Sequence, residues 1–306
     1  MIVRKNLDPR IVVRVAWKRV AMLTLTAVVV VLGYHYYGNK DLAIDSLPAS
    51  ILGVALAILI GFRINSAYER WWEARRLWGA VVNDSRSVAR QALTFITLRH
   101  AKDADDQGVA DERKQFIYRQ IAFVHAMKNH LRKLDPFEEI RPFLSEGEFA
   151  FARQQQHVPV AILNLHAKHL EILLEKGLIE DFRHMQIDIR LSALTDSLGG
   201  CERIKNTVFP RQYSFYTTMF VTLYSFLLPF ILVGVSGWYT VPFTIVIGFI
   251  FFALDSIARG VENPFENTFN DTPMSSICRT IEINLKQMVG ETELPAPVQP
   301  VNCFLY

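Results

Sequence analysis

Cysteine is scarce in this sequence. Cys201, Cys278 and Cys303 are widely spaced, odd in number and never part of a Cys-x-x-Cys pair. That pattern argues against a disulfide scaffold and against a structural zinc site built on cysteines, and the thiols are expected to be reduced. Also missing are a glycine-rich phosphate loop, a His-Glu-x-x-His helix and a Gly-x-Ser-x-Gly turn, so no enzyme activity and no cofactor are expected. No internal repeat or low-complexity tract is present, and strand-like alternation persists nowhere. The formal net charge of +3 decides nothing by itself, and no nucleic acid partner is expected.

Apolar residues make up 51% of the chain and aromatic residues 12%, more than a soluble domain usually carries. The average hides two populations: long apolar runs lie near both ends, while residues 63–211 are rich in charge. The first run, 20–34 (VAMLTLTAVVVVLGY), carries no charge, follows Arg14, Lys18 and Arg19, and is flanked by Trp17 and a tyrosine cluster. It reads as one membrane span with interfacial aromatic rings. It leads into Tyr34, Tyr36 and Tyr37 rather than a small-residue cleavage site, so it is expected to be a retained anchor, not a signal peptide.

A second run, 47–62 (LPASILGVALAILIGF), falls short of the roughly 20 residues a helix needs to cross the hydrocarbon core. It can cross only if residues 63–72 continue it, in a protein-lined position. Near the other end, 213–235 and 238–254 are both apolar and separated by a few residues around Gly237, which predicts a membrane hairpin. Pro229 and Pro242 are tolerated where neighbouring helices satisfy the freed backbone groups. Four spans place both termini on one side. The basic residues Arg4, Lys5, Arg10, Arg14, Lys18 and Arg19 before the first span, against little beyond Lys40 in the outer turns, make that side cytosolic.

The middle region reads as amphipathic helices, including 114–134 and 160–176, joined by loops at Asp135-Pro136, at Arg141-Pro142 and along the polar run 102–111. Residues 293–299 (ELPAPVQ) read as a flexible tail. The expected organisation is a cytosolic segment 1–19, membrane helices within 20–72, a cytosolic helical region 73–211, membrane helices within 212–255 and a cytosolic segment 256–306. His166 and His169, at i and i+3, could set two imidazoles beside one metal, but no third ligand is evident nearby. Ordinary core or surface histidines are the expectation.

Val54, Ile58 and Phe62 fall at four-residue intervals and so share one helix face. Taken alone, that face could look to lipid or to a packed core. The continuation Arg63-Ile64-Asn65-Ser66-Ala67-Tyr68-Glu69-Arg70-Trp71-Trp72 extends the helix with polar residues and paired tryptophans, as expected when one face meets water and the other meets protein.

Three stretches, GFRINSAYERWWEARRLWG (61–79), GGCERIKNTVFP (199–210) and ENPF (262–265), resemble in order and spacing the signature regions of bestrophins. The resemblance extends from the first span to about residue 285. It implies an all-α membrane protein, a homopentamer around one central pore that conducts small monovalent ions, with the second helix of each subunit lining a narrow hydrophobic neck. By that resemblance the neck falls on Val54, Ile58 and Phe62, and a second constriction at the cytosolic exit falls on Ile172, whose alternative reading is a buried helix residue. Animal bestrophins bind calcium in an acidic cluster after Asn-Pro-Phe. Here that stretch is Glu266-Asn267-Thr268-Phe269-Asn270-Asp271, with too few carboxylates for an ion that prefers six to eight oxygens. No metal is therefore expected, and Glu266 and Asp271 serve as loop or capping residues as readily as ligands.

A ring of apolar side chains can gate by dewetting. The edge of Phe62 would favour anions and its face cations. The animal members conduct chloride, whereas bacterial relatives include some that prefer monovalent cations. Glu69, Glu175, Glu180 and Asp181 would favour cations if they face the vestibule, and Arg63, Arg70 and Arg183 would favour anions. The balance tips slightly to cations. The competing classes are a secondary transporter, disfavoured because no paired repeat is seen, and a membrane-anchored scaffold or sensor.

Overall fold

The computed structural model describes residues 9–98, 105–268, 270–300 and 304–305. Among them the regular structure is helical: α1 (Pro9–Tyr36), α2 (Ser46–Phe95), α3 (Asp106–Arg132), α4 (Phe137–Ile140), α5 (Glu146–Arg153), α6 (Val158–Glu175), α7 (Asp181–Asn206), α8 (Arg211–Ser236), α9 (Thr240–Val261) and α10 (Met274–Met288). The chain divides into two units, one drawn from residues 4–71 and 208–263, the other from 72–207 and 264–306.

The first unit contains α1, the N-terminal half of α2, α8 and α9. Among the described residues three stretches are long and apolar enough to cross a membrane, Trp17–Tyr36, Lys40–Phe95 and Arg211–Val261, and the last of them folds as the α8 and α9 hairpin. The chain reverses at Gly237, whose φ of +52° lies where a side chain would be strained. α1 packs on both α8 and α9, around Leu23, Leu56, Ile60, Val221 and Phe252. A Cβ on Gly248 would collide with Leu23, so glycine is what lets α9 approach α1 this closely. The expectation that residues 63–72 continue the second apolar run understates the helix. α2 runs unbroken for 50 residues, about 75 Å at the α-helical rise.

The second unit is built on α3, which packs against α6, α7 and α10. Its buried side chains, Phe116, Ile117, Ile121, Phe123 and Val124 among them, share one core with Trp78, Val81 and Val88 of α2. The polar run 102–111, expected as a loop, is corrected here: α3 begins at Asp106. Asp105 caps the helix by accepting a 2.8 Å hydrogen bond from the Gly108 amide, and Asp106, in the first turn, suits the positive end of a helix dipole. Residues 99–104 lie outside the described residues. Arg141-Pro142, also expected as a loop, opens a short 3-10 turn, with proline in its tolerated first positions. Residues 293–299 carry no regular secondary structure.

Cys201 and Cys278 are buried free thiols, and burial pushes both up to about 12, so they stay protonated. Cys303, the positions of Arg4 and Lys5, and the side chains of Arg10 and Arg14 lie outside what the structure describes.

Candidate functional site: a bare apolar stripe and a buried ion cluster

Helix α2 is amphipathic in a way its composition conceals. Spacings of three and four residues bury Ala49, Leu56, Ile60, Arg63 and Ala67, the narrow seam by which the helix joins its own unit. The opposite side carries Leu47, Ile51, Val54, Ile58 and Phe62 at the same spacings, and the last three are 62%, 55% and 65% exposed. Packing within the subunit is thereby ruled out for these three. Farther along, Asn65 donates a 2.8 Å hydrogen bond to Glu69, both exposed, so the apolar stripe gives way to a hydrated polar one. Arg70 is half-buried.

Arg63 corrects an expectation. Weighed above as a charge on the ion path, it is fully buried, because its position falls on the inward seam. Its Nη1 lies 2.7 Å from Asp255 Oδ1, and its Nη2 donates to Ser214 at 3.0 Å and lies 3.4 Å from Glu262. Thr218 also donates to Asp255 at 2.9 Å, while Arg259 and Arg19 approach the other carboxylate oxygen at 2.5 and 3.3 Å. Three guanidinium groups thus surround one carboxylate that has no solvent exposure. A buried charge persists only when paired and hydrogen-bonded, and this cluster meets that condition for Asp255. A signal was present in the sequence: Asp255 is a lone acid directly after an apolar run that ends at Leu254, and ionisable residues at membrane depth demand a partner.

In the other unit, Ile172 of α6 is 44% exposed while its neighbours Leu170 and Leu173 are buried. The buried-residue reading of Ile172 therefore fails. Asp181 and Glu175 are exposed, and Arg183 leans toward Glu180 at 3.7 Å.

His166 and His169 are both buried and do not converge on a ligand site. His166 meets Phe116 edge to face, ring centroids 4.5 Å apart, and its complete burial pushes its pKa well down. The Nδ1 of His169 lies 2.8 Å from Arg119 and its Nε2 2.6 Å from Glu112. Arginine only donates, so His169 carries its proton on Nε2. At the calcium-cluster position, Glu266 pairs with Lys205 at 2.7 Å, and Asp271 accepts a 2.6 Å hydrogen bond from Thr268. Burial raises the Asp271 pKa. Phe269, between them, lies outside the described residues.

A family profile described as Bacterial/Fungal Bestrophin protein matches residues 3–287. The voltage-dependent anion channel-forming protein YneE of Salmonella typhi is 34% identical over 281 residues, 92% of this chain and 88% of its own. The voltage-dependent anion channel-forming protein RSc3414 of Ralstonia nicotianae is 32% identical over 251 residues, 82% of this chain and 79% of its own. Crystal structures of two point variants of a bacterial bestrophin homologue from Klebsiella pneumoniae superpose with TM-scores of 0.81 and 0.82, at 33% and 32% identity. They cover 89% and 91% of this chain and 98% and 100% of theirs.

Proposed function

The chain belongs to the bacterial and fungal bestrophin family, and from that premise we propose that it is the pore-forming subunit of a homopentameric channel for small monovalent ions. One observation carries the reading: Val54, Ile58 and Phe62 form an exposed apolar stripe on a helix whose opposite seam is buried. Repeated around a symmetry axis, such a stripe makes a hydrophobic neck that holds water poorly, and an ion must shed hydration to pass. Ile172, also exposed, forms the cytosolic aperture, with Glu69, Arg70 and Asp181 as vestibule charges. The protein sits in the bacterial inner membrane with both termini cytosolic, and its partners are its own copies, the bilayer and the permeant ions.

Between ion classes the charged side chains tip the reading to cations. Glu69, Glu175 and Asp181 are exposed, whereas Arg63 is buried against Asp255 and Glu262 and Arg183 leans on Glu180. Anion conduction is the second reading, favoured by the names of the Salmonella and Ralstonia relatives. Planar-bilayer recording of the purified protein under a KCl gradient tests both levels. Discrete steps reversing toward the potassium potential are expected; reversal toward the chloride potential selects the second reading. Absence of steps from protein that native mass spectrometry shows to be pentameric removes the channel reading, and a dominant monomer or dimer removes the pentamer.

A further inference from the structure

Two histidines that the sequence keeps 27 positions apart meet on one carboxylate in the second unit. His130 lies in the last turn of α3, His157 is the N-cap of α6, and Glu202 lies near the end of α7. The Nε2 atoms of His130 and His157 stand 2.7 and 2.5 Å from the same oxygen, Oε1 of Glu202, and the imidazole centroids are 4.4 Å apart. One donor atom from each of the three residues lies within 4.8 Å of the others.

We propose that His130, His157 and Glu202 form a binding site for a divalent transition-metal cation of the zinc class. Two imidazoles and a carboxylate are a donor set that zinc takes, usually with water in the fourth position. Nitrogen-rich donors select such ions over calcium or magnesium, which prefer oxygen alone. The fourth position has room, because His130 and Glu202 line a cavity of about 280 Å³ that also touches Gln156 and Asn206. Zinc holds its ligands at about 2 Å, so tetrahedral donors stand roughly 3.3 Å apart. The two contacts to Glu202, at 2.7 and 2.5 Å, therefore need to open by less than about 1 Å, and the two imidazole donors already lie within 4.8 Å of each other. All three side chains are a quarter to two-fifths exposed, which leaves them free to turn by that amount. Lys205, on the same cavity, is engaged by Glu266 at 2.7 Å, which tempers its opposition to a cation.

Binding has a defined proton balance. The Val160 amide donates to His157 Nδ1 at 3.4 Å, so the metal-free His157 carries its proton on Nε2 and donates it to Glu202. Coordination through Nε2 moves the ring to the Nδ1–H tautomer and gives up that long cap. A bound ion would tie α3, α6 and α7 together, and this reading does not depend on whether the chain conducts ions.

The test is zinc titration of the full-length, tag-free, chelator-stripped protein in competition with a chromophoric chelator. One zinc per chain is expected. His130→Ala and His157→Ala should each weaken it by more than about tenfold, while His184→Ala leaves it unchanged. If the variants fail to assemble, cobalt loaded into the parent protein decides. A strong visible band of four-coordinate cobalt supports the site, and only the weak spectrum of the hydrated ion overturns it. Zinc binding that both histidine variants retain in full also overturns it.

Discussion

Arg63 and Asp255 meet at 2.7 Å with side-chain exposures of 1% and 0%, which joins α2 to α9 inside one unit through charges that water does not reach. Removing one partner of such a pair strands the other. Asp255→Asn preserves shape but leaves the guanidinium groups of Arg63, Arg19 and Arg259 without their shared counter-charge. Single removals at buried pairs cost about 3–5 kcal/mol, whereas exchanging the pair for apolar residues of similar volume is often close to neutral. Thermal unfolding in detergent should therefore show a large drop for Asp255→Asn and for Arg63→Met. The double variant Arg63→Met with Asp255→Leu should lose less than the two single losses added together. Strict additivity would show that the pair is not coupled.

The second unit carries a pH-sensitive cluster. Glu139 lies 2.9 Å from His125 Nδ1 and 2.5 Å from Lys128, and the hydrogen bond from His125, reinforced by Lys128, depresses Glu139 to about 2. Burial opposes protonation of His125, but Glu139 and Glu282, the latter at 3.6 Å, outweigh burial and the repulsion of Lys128, so its pKa is raised. The depressed carboxylate contributes stability that is complete above its ordinary value of 4.5 and is lost as pH falls toward 2. The raised imidazole contributes stability that is complete below its ordinary value of 6.5 and is lost as pH rises through its folded value. The cluster should thus stabilise most between about pH 4.5 and 6.5. Glu139→Gln should flatten both limbs of a plot of unfolding temperature against pH, by about 1 kcal/mol because Glu139 is 42% exposed and its pairing is screened. A curve merely shifted downward, with its limbs intact, would assign the pH dependence to other groups.

Calcium should not be required for conduction. Around the Asn-Pro-Phe motif, Glu266 is spent on Lys205 and Asp271 on Thr268, and a calcium site needs six or more oxygens with several charges. Currents recorded in excess chelator should equal those recorded in micromolar calcium. A current that vanishes on chelation and returns with calcium would show that these carboxylates change partners to bind the ion.

The membrane helices were legible because apolar runs and their aromatic and basic borders are local signals, and the face shared by Val54, Ile58 and Phe62 follows from helical spacing alone. Long-range meetings were not legible. Arg63 was weighed as a pore charge because it opens the polar continuation 63–72; its partner Asp255 lies 192 positions away, so only the fold reveals that Arg63 faces inward. His166 and His169 drew notice as a pair because they are adjacent on one helix, yet each is satisfied or shielded separately. His130 and His157, unremarkable in sequence, are the two that converge. The start of α3 was missed for a different reason: clustered polar residues read as a loop until Asp105 is recognised as a cap.

Ile58 and Phe62 provide the decisive test of the neck. On the proposed pore each subunit places these side chains at one level, so Ile58→Ala or Phe62→Ala removes a ring of heavy atoms there, and the wider constriction should wet more readily. Conductance or open probability should rise. Because the two side chains are 55% and 65% exposed in the subunit, truncation should cost its own fold little, within about 0.5–1 kcal/mol. Ile60, on the same helix but 1% exposed, supplies the contrast: Ile60→Ala opens a cavity and should cost about 2–5 kcal/mol, lowering the yield of assembled protein without raising current per channel. If α2 merely faced lipid at Ile58 and Phe62, their truncation would leave both assembly and conduction as in the parent. Normal pentamers with unchanged current from both variants would therefore take the gate away from this stripe and move it to Ile172, the other exposed apolar side chain that the family resemblance places on the ion path.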